Sequence, residues 1–290
     1  MSFLPNLVAS GLVVGSIYGL IGMAFAIIFR TTRVLNFAQG EVMMLVTYTT
    51  FSLATSLHLS IWTLVPCALF GGAMVGVIIE RLFIRPMTGQ PVFSIVMVTI
   101  GLAIFLRSLT ILIWGVDAEN FQLDFMGGVV RIGPVVLLTE QVLVIATFIV
   151  ASLAIFLFFK FTRLGGAMRA AAEDETAALL MGIDVRRISS LAWAMSAVIS
   201  GLAGIMLALL LARSPDMWFA GLKSFPAAIL GGLDSPLGSA FGGWIVGIIG
   251  ELSEGYIGHG LKEIAGFAVI IVILMVRPFG LFGEPDLERV

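Results

Sequence analysis

Eight apolar runs, most of them near the length that crosses a bilayer, constrain this chain more than any other feature. They are Asn6–Phe29, Val34–Thr55, Ile61–Phe83, Val92–Trp114, Val135–Phe159, Ser189–Ala212, Pro236–Leu252 and Glu263–Val276. A helix needs about 20 apolar residues to cross the hydrocarbon, and helices or closed barrels alone satisfy every backbone polar group there. The chain has 290 residues, 59% hydrophobic and 12% charged, against about 45–50% and about 25% in soluble domains. It reads as an all-α polytopic membrane protein: one transmembrane domain over residues 1–290, with about eight transmembrane helices. A further apolar piece, Phe225–Leu233, is too short to cross alone. Gly231-Gly232 and Asp234-Ser235-Pro236 break it, which predicts a short broken or re-entrant helix.

The Lys/Arg bias sets the orientation. With the N-terminus outside and the broken piece counted as a crossing, eleven of the sixteen Lys and Arg residues lie on the inner side and four outside, with Arg107 inside a span. The C-terminus and the polar stretch 161–188 are then expected inside. The N-terminal MSFLPNLV carries no basic residue ahead of its apolar run, so it reads as a retained span rather than a cleaved signal. A net charge of −2 gives no nucleic-acid footprint. Cys67 stands alone, which excludes an internal disulfide and a multi-cysteine metal centre.

Residues 161–188 form the one long polar interruption. Arg163, Arg169, Arg186 and Arg187 are mixed with Glu173, Asp174, Glu175 and Asp184 around a helix-favouring core, Ala170–Met181, that stops at Gly182. Such a segment suits a lever pushed from outside the membrane, or a solvated loop joining two spans. Glycine recurs at small-xxx-small spacing in Gly11/Gly15/Gly19, Gly72/Gly76, Gly238/Gly242 and Gly243/Gly247. In lipid, helices associate through close backbone approach. The pattern fits packing within the chain or, at 238–247, a subunit interface. The segments starting at Pro91 and Ser224 are loosely alike, as paired interrupted helices of a transporter are.

Polar groups within apolar spans need a partner or a wet cavity. The densest set is Arg30 to Glu41, in which Asn36, Gln39 and Gly40 share one face if helical. Two readings stand: a polar patch in a pathway, with Glu41 beside it, or a turn in which Asn36 and Glu41 cap helix-end amides. Gly231, Gly232 and Asp234 sit at the break of the interrupted segment and form the second pathway candidate. Arg107 reads as a snorkelling residue near a span end. Glu251 and Glu254 are placed to pair with Lys262, and His58 and His259 read as surface loop residues. No lysine stands in a GxxxxGK[ST] setting and no HExxH occurs, so neither a P-loop ATPase nor a zinc protease is expected in this chain.

Four segments carry a family resemblance: RVLNFAQGE at Arg33–Glu41; Thr176-Ala177-Ala178 followed by Gly182 and Arg186-Arg187; FPAAILGGLDSPLGSAFGG from Phe225; and RPFGLFG from Arg277. Together they resemble, over essentially the whole chain, the LivH-like permease of branched-chain amino-acid ABC importers. The resemblance implies the ABC importer permease fold. It also implies a bacterial inner-membrane location, with the N-terminus periplasmic and the C-terminus cytoplasmic. Thr176, Ala177, Ala178 and Gly182 stand where that family has an EAA-x₃-G coupling loop, with Thr176 in place of the usual Glu. Arg169, Arg186 and Arg187 flank it. The implied partners are a second, LivM-like permease, two ATP-binding subunits carrying ATP and Mg, a periplasmic substrate-binding protein and membrane lipid. No cofactor or metal is implied in this chain. The implied cargo is branched-chain amino acids. Urea, short amides and aromatic acids are carried by relatives; a secondary transporter or a channel is the alternative outside the family.

Overall fold

A computed structural model describes residues 3–56, 61–119, 126–258 and 260–283. His58, His259 and the tail with Arg289 lie outside these. The helices are α1 (Phe3–Thr32), α2 (Gln39–Ser56), α3 (Ile61–Ile79), α4 (Val92–Trp114), α5 (Thr139–Phe161), α6 (Arg163–Glu173), α7 (Glu175–Leu180), α8 (Val185–Leu211), α9 (Trp218–Gly231), α10 (Pro236–Tyr256) and α11 (Leu261–Val276). Among the described residues five segments are long and apolar enough to cross a membrane: Phe3–Thr32, Val65–Met87, Val92–Trp114, Thr139–Phe161 and Val185–Leu211. The other three expected spans are helices α2, α10 and α11. They are shorter or carry polar residues, so the expected count of eight is not reached on length and hydropathy.

Three boundaries moved for local reasons. Val135–Leu138 is not the start of a span but the second strand of a hairpin, pairing with Val129–Ile132 across Gly133 at φ 60°. Its run of β-branched residues suits a strand, and the fifth span begins at Thr139. The second span begins at Gln39 rather than Val34, because residues 33–38 are not helical. The expected Ala170–Met181 helix is split at Asp174, whose φ of −153° is extended. Its side chain instead accepts a 2.9 Å hydrogen bond from the Ala177 amide and caps α7.

The core forms around α1, most of whose second half is buried. Its glycine stripe runs antiparallel against α10: Gly11 meets Ile248, Gly15 meets Gly243 and Gly19 meets Ala240. The other flank of α10 closes on α9, where Gly242 lies against Ala227 and Gly238 against Gly231. The 238–247 glycines therefore pack within the chain, which removes the subunit-interface reading. Trp244 locks the α1 seam, donating 2.9 Å to Ser16 Oγ and packing its ring 4.7 Å from that of Phe148.

Because α8 starts beside the α6–α7 loop and α10 starts there too, α9 must return the chain between them. It begins at Trp218, seven residues before the expected short piece, and ends at Gly231. The likeness between its neighbourhood and the Pro91 segment does not extend to structure, since α4 runs unbroken through Gly101.

A β-carbon at position 15 would lie 2.6 Å from the Gly243 carbonyl oxygen and 2.8 Å from Trp244 Cα, both backbone atoms. Gly15→Ala should cost about 1–3 kcal/mol through forced separation of α1 and α10. Gly101→Ala, with nothing within 4 Å, should be neutral or slightly stabilising. Thermal unfolding of the detergent-solubilised variants checks the contrast.

Candidate functional site

The pathway residues anticipated from sequence gather at the two ends of α9. At its first turn, the α1–α2 connector climbs back among the helices. Asn36 Oδ1 accepts the Ala38 amide at 3.1 Å, and its Nδ2 donates to Gln39 Oε1 at 2.9 Å. Asn36 thus closes the turn as the capping reading expected of it, whereas Glu41, expected to cap as well, bonds Arg107 instead. Gln39 is also fully buried. Its amide donates to Ser196 Oγ at 3.0 Å and to Ser200 Oγ on α8, and Ser196 in turn donates 2.9 Å to the Ala24 carbonyl. The network thus ties α2, α8 and α1 with each polar group in use. Gly40 presses against Gly221: a β-carbon on Gly221 would sit 2.5 Å from Gly40 Cα.

Glu41, 2% exposed, forms an ion pair with Arg107 of α4. The guanidinium lies over the Trp218 ring, 3.4 Å from its centroid. A buried carboxylate needs such a counter-charge, and an Arg on a Trp face adds cation–π attraction. Arg107 thus bridges α2, α4 and α9 rather than snorkelling, which corrects the sequence expectation. The signal for it was present: an arginine well inside an apolar span calls for a partner, and Glu41 is the carboxylate set in the neighbouring span.

At the other end of α9, Gly232 adopts φ 101°, a left-handed conformation that favours glycine. The segment after α11 folds over this end: the Leu281 amide donates 2.8 Å to the Leu230 carbonyl and the Phe282 amide 3.2 Å to that of Gly231. These bonds satisfy carbonyls that a helix C-terminus leaves open. Asp234 pairs with Arg33 at 2.8 Å, and Arg33 Nη2 also donates 3.5 Å to the Ala172 carbonyl in α6. Arg33 itself holds φ 53°, strained for a residue with a side chain.

The polar loop is tied together by its own hydrogen bonds. Thr162 caps α6, accepting 2.9 Å from the Gly165 amide. Arg169, expected at a docking surface, is exposed and donates to the Phe159 carbonyl at the end of α5. Ala178 is buried, whereas Thr176 and Ala177 are exposed. At the tip Leu180 and Met181 are 84% and 83% exposed. Gly182 sits at φ 83°, where its amide donates 3.0 Å to the Leu179 carbonyl and Ile183 donates 3.0 Å to Ala178. That is a helix-ending turn suited to glycine. Asp184 caps α8 and pairs with Arg187 at 2.9 Å, and Arg186 is exposed. A cluster missed from sequence backs this loop. Buried Glu80, in a π-helical turn after α3, takes a forked bond from Arg85 at 3.2 and 2.9 Å, and both reach Ser190 of α8 at 2.7 Å.

Away from the loop lies a cavity of about 770 Å³, walled by α1, α8, α9, α10 and α11. None of the anticipated pathway residues lines it. Gly40 and, through Arg107, Glu41 lie against the first turn of α9, whose Trp218, Phe219, Ala220 and Lys223 do line it.

These elements define a multi-pass helical membrane protein with a cavity at one end of its bundle and a capped, charged loop at the other. Residues 7–276 match the family model described as the branched-chain amino acid transport system permease component. The chain is 32% identical to the high-affinity branched-chain amino acid transport system permease protein LivH of Escherichia coli (strain K12), and 31% identical to that of Salmonella typhimurium, covering 97% of this chain and 96% of each relative. It is 31% identical to BraD of Pseudomonas aeruginosa over 99% of this chain and 98% of that protein. The chain belongs to the branched-chain amino acid transport permease family.

Arg107→Ala would leave Glu41 buried without its cation, a loss that reaches about 3–5 kcal/mol for buried pairs. Adding Glu41→Gln should recover much of it, because the neutral amide needs no counter-charge. Unfolding midpoints of the two single variants and the double variant in one detergent provide the check. Equal stability of Arg107→Ala and wild type would show that the pair holds nothing.

Proposed function

We propose that this chain is the transmembrane permease subunit of an ATP-driven importer that moves branched-chain amino acids by alternating access. Family membership supports the cargo. The observation that carries the coupling is the α7 tip, where Leu180 and Met181 are presented to solvent on a short helix held by Asp174 and Gly182. Exposed apolar side chains on an otherwise charged loop are what a partner subunit would cover. In this reading the loop faces the cytoplasm and the C-terminus lies with it, the N-terminus is periplasmic, and the membrane is the bacterial inner membrane. Two ATP-binding subunits hold ATP and Mg and receive α7. A LivM-like second permease and a periplasmic binding protein complete the complex.

Ala177, Thr176 and the exposed Arg186 and Arg187 would meet the ATP-binding subunit. Arg169, Ala178 and Gly182 would shape the helix that does so. Motion of α6 reaches α9 by a short path, since Arg33 contacts both the Ala172 carbonyl and Asp234. Alternating access needs an element with two arrangements that a partner can bias. We assign that role to α9, clamped by Gly231, Gly232 and Asp234 at the loop end and braced by Asn36, Gln39, Gly40 and Glu41 at its first turn. The two carboxylates that a proton- or ion-coupled secondary transporter would use, Glu41 and Asp234, are engaged in ion pairs, which favours ATP coupling over that alternative.

Reconstitution with the partner subunits tests this. Leucine uptake should require ATP and loaded binding protein. Leu180→Asp, at a site with no packing to lose, should abolish uptake while leaving membrane insertion and melting temperature unchanged. Uptake by this chain alone, with no ATPase present, would overturn the reading. Arg33→Ala should leave ATP hydrolysis running while uptake falls, as a break between loop and α9 requires; proportional loss of both would place Arg33 elsewhere in the cycle.

A further inference from the structure

The cavity along α9 has a wall chemistry that selects among ligands. Most of its lining is apolar, including Val14 and Ile17 of α1, Leu207 and Leu210 of α8, Val246 of α10 and Phe267 of α11. Five charged residues also line it: Lys223 of α9, Lys262 and Glu263 of α11, Glu254 of α10 and Asp216 ahead of α9. Lys223 of α9 and Glu263 of α11 form an ion pair, with Lys223 Nζ 4.8 Å from the centroid of the Phe219 ring. A second pair, Lys262 with Glu251 of α10, stands beside it. At about 770 Å³ the space lies within the roughly 300–1,000 Å³ of small-molecule sites, which are mostly apolar with a few placed polar groups.

We propose that this cavity is a subsite for a zwitterionic amino acid with an apolar side chain. Its carboxylate is taken by Lys223 and its ammonium by Glu263, and its side chain lies on the apolar wall. This rests on the importer reading above and locates the cargo inside this chain. The opposed pair favours a zwitterion over a singly charged ligand. An anion taken by Lys223 strands Glu263, a cation taken by Glu263 strands Lys223, and an alkyl chain alone leaves the two joined to each other. A zwitterion inserted head to tail gives each a partner. The rearrangement is cheap, because the side chains of Lys223 and Glu263 are 28% and 52% exposed and an exposed ion pair contributes only about 0–1 kcal/mol. Lys223 also sits on the wall that moves if α9 shifts, so occupancy and the position of α9 would be linked.

Ser214 lines the cavity and is partly buried, and its replacement by cysteine changes one atom. The native Cys67 is in α3, which contributes nothing to the wall. In a Cys67→Ser, Ser214→Cys background, the assembled transporter in proteoliposomes is labelled with a membrane-impermeant thiol reagent. L-Leucine at ten times its Kd should slow labelling about tenfold. At the same concentration 4-methylpentanoate, lacking the ammonium, and 3-methylbutylamine, lacking the carboxylate, should not. Ala220→Cys, also on the wall, serves if Ser214→Cys fails to fold. Lys223→Gln should remove leucine protection. Gly266→Leu should fill the cavity and stop uptake, since a β-carbon there meets only ordinary contacts at 3.6 Å and the fold should survive.

Leucine uptake by wild type with no leucine protection at either cysteine would overturn the subsite and leave the importer reading standing. So would normal uptake by Gly266→Leu, and so would equal protection by the two half-analogues, which would mark a merely apolar site. Absence of uptake of any amino acid by the complete wild-type complex would overturn the importer reading, and the subsite with it.

Discussion

Contact between bare backbones of α1, α10 and α9 is the constraint on which this structure depends. Lipid is as apolar as the helix surfaces, so burying Leu or Ile against a neighbour gains little. Dispersion forces between closely spaced backbones supply the attraction instead, and only glycine permits that spacing. Gly11, Gly15 and Gly19 on α1 and Gly238, Gly242, Gly243 and Gly247 on α10 bring three helices to where a single methyl group would collide with main-chain atoms. Trp244 fills the seam beside them with both a ring contact and a hydrogen bond.

That tight seam makes α9 unusual among the helices. It has 14 residues, too few to cross the bilayer core of about 30 Å, and it is held by interactions at its ends as well as along its length. At one end an ion pair stacked on Trp218 and a glycine–glycine contact fix the first turn. At the other, amides of the chain's last described residues satisfy its carbonyls, and Arg33 holds Asp234. Arg33 extends the lower clamp into the charged loop through Ala172.

Much of this was legible. The spans, the break after Gly231, the charged loop and its stop at Gly182 follow from hydropathy and from residues with narrow conformational preferences. The Glu251–Lys262 pair was anticipated because its members lie close in sequence. The split of the loop at Asp174 was not, since Asp serves both as a helix residue and as a cap, and only the extended φ decides. The roles of Arg107 and of Glu80 with Arg85 and Ser190 depend on helices distant in sequence. The polar set admitted two readings; hydrogen bonds show Asn36 closing the turn and Gln39 tied to α8, while Glu41 pairs with Arg107 and Gly40 meets α9.

Residue order was enough to establish an all-α multi-pass membrane protein, to place five of its long apolar helices to within a few residues, to locate the polar loop and to assign the family. Those properties are local: transfer of apolar stretches into hydrocarbon and the backbone limits of Gly, Pro and Asp act within one segment. Tertiary structure alone decided which glycine stripe meets which helix, which arginine neutralises which carboxylate, and that two separated motifs clamp opposite ends of one short helix beside a cavity carrying a facing Lys–Glu pair. Those properties are non-local. They arise when helices far apart in the chain are brought into register, and residue spacing within a single span carries no record of its neighbour.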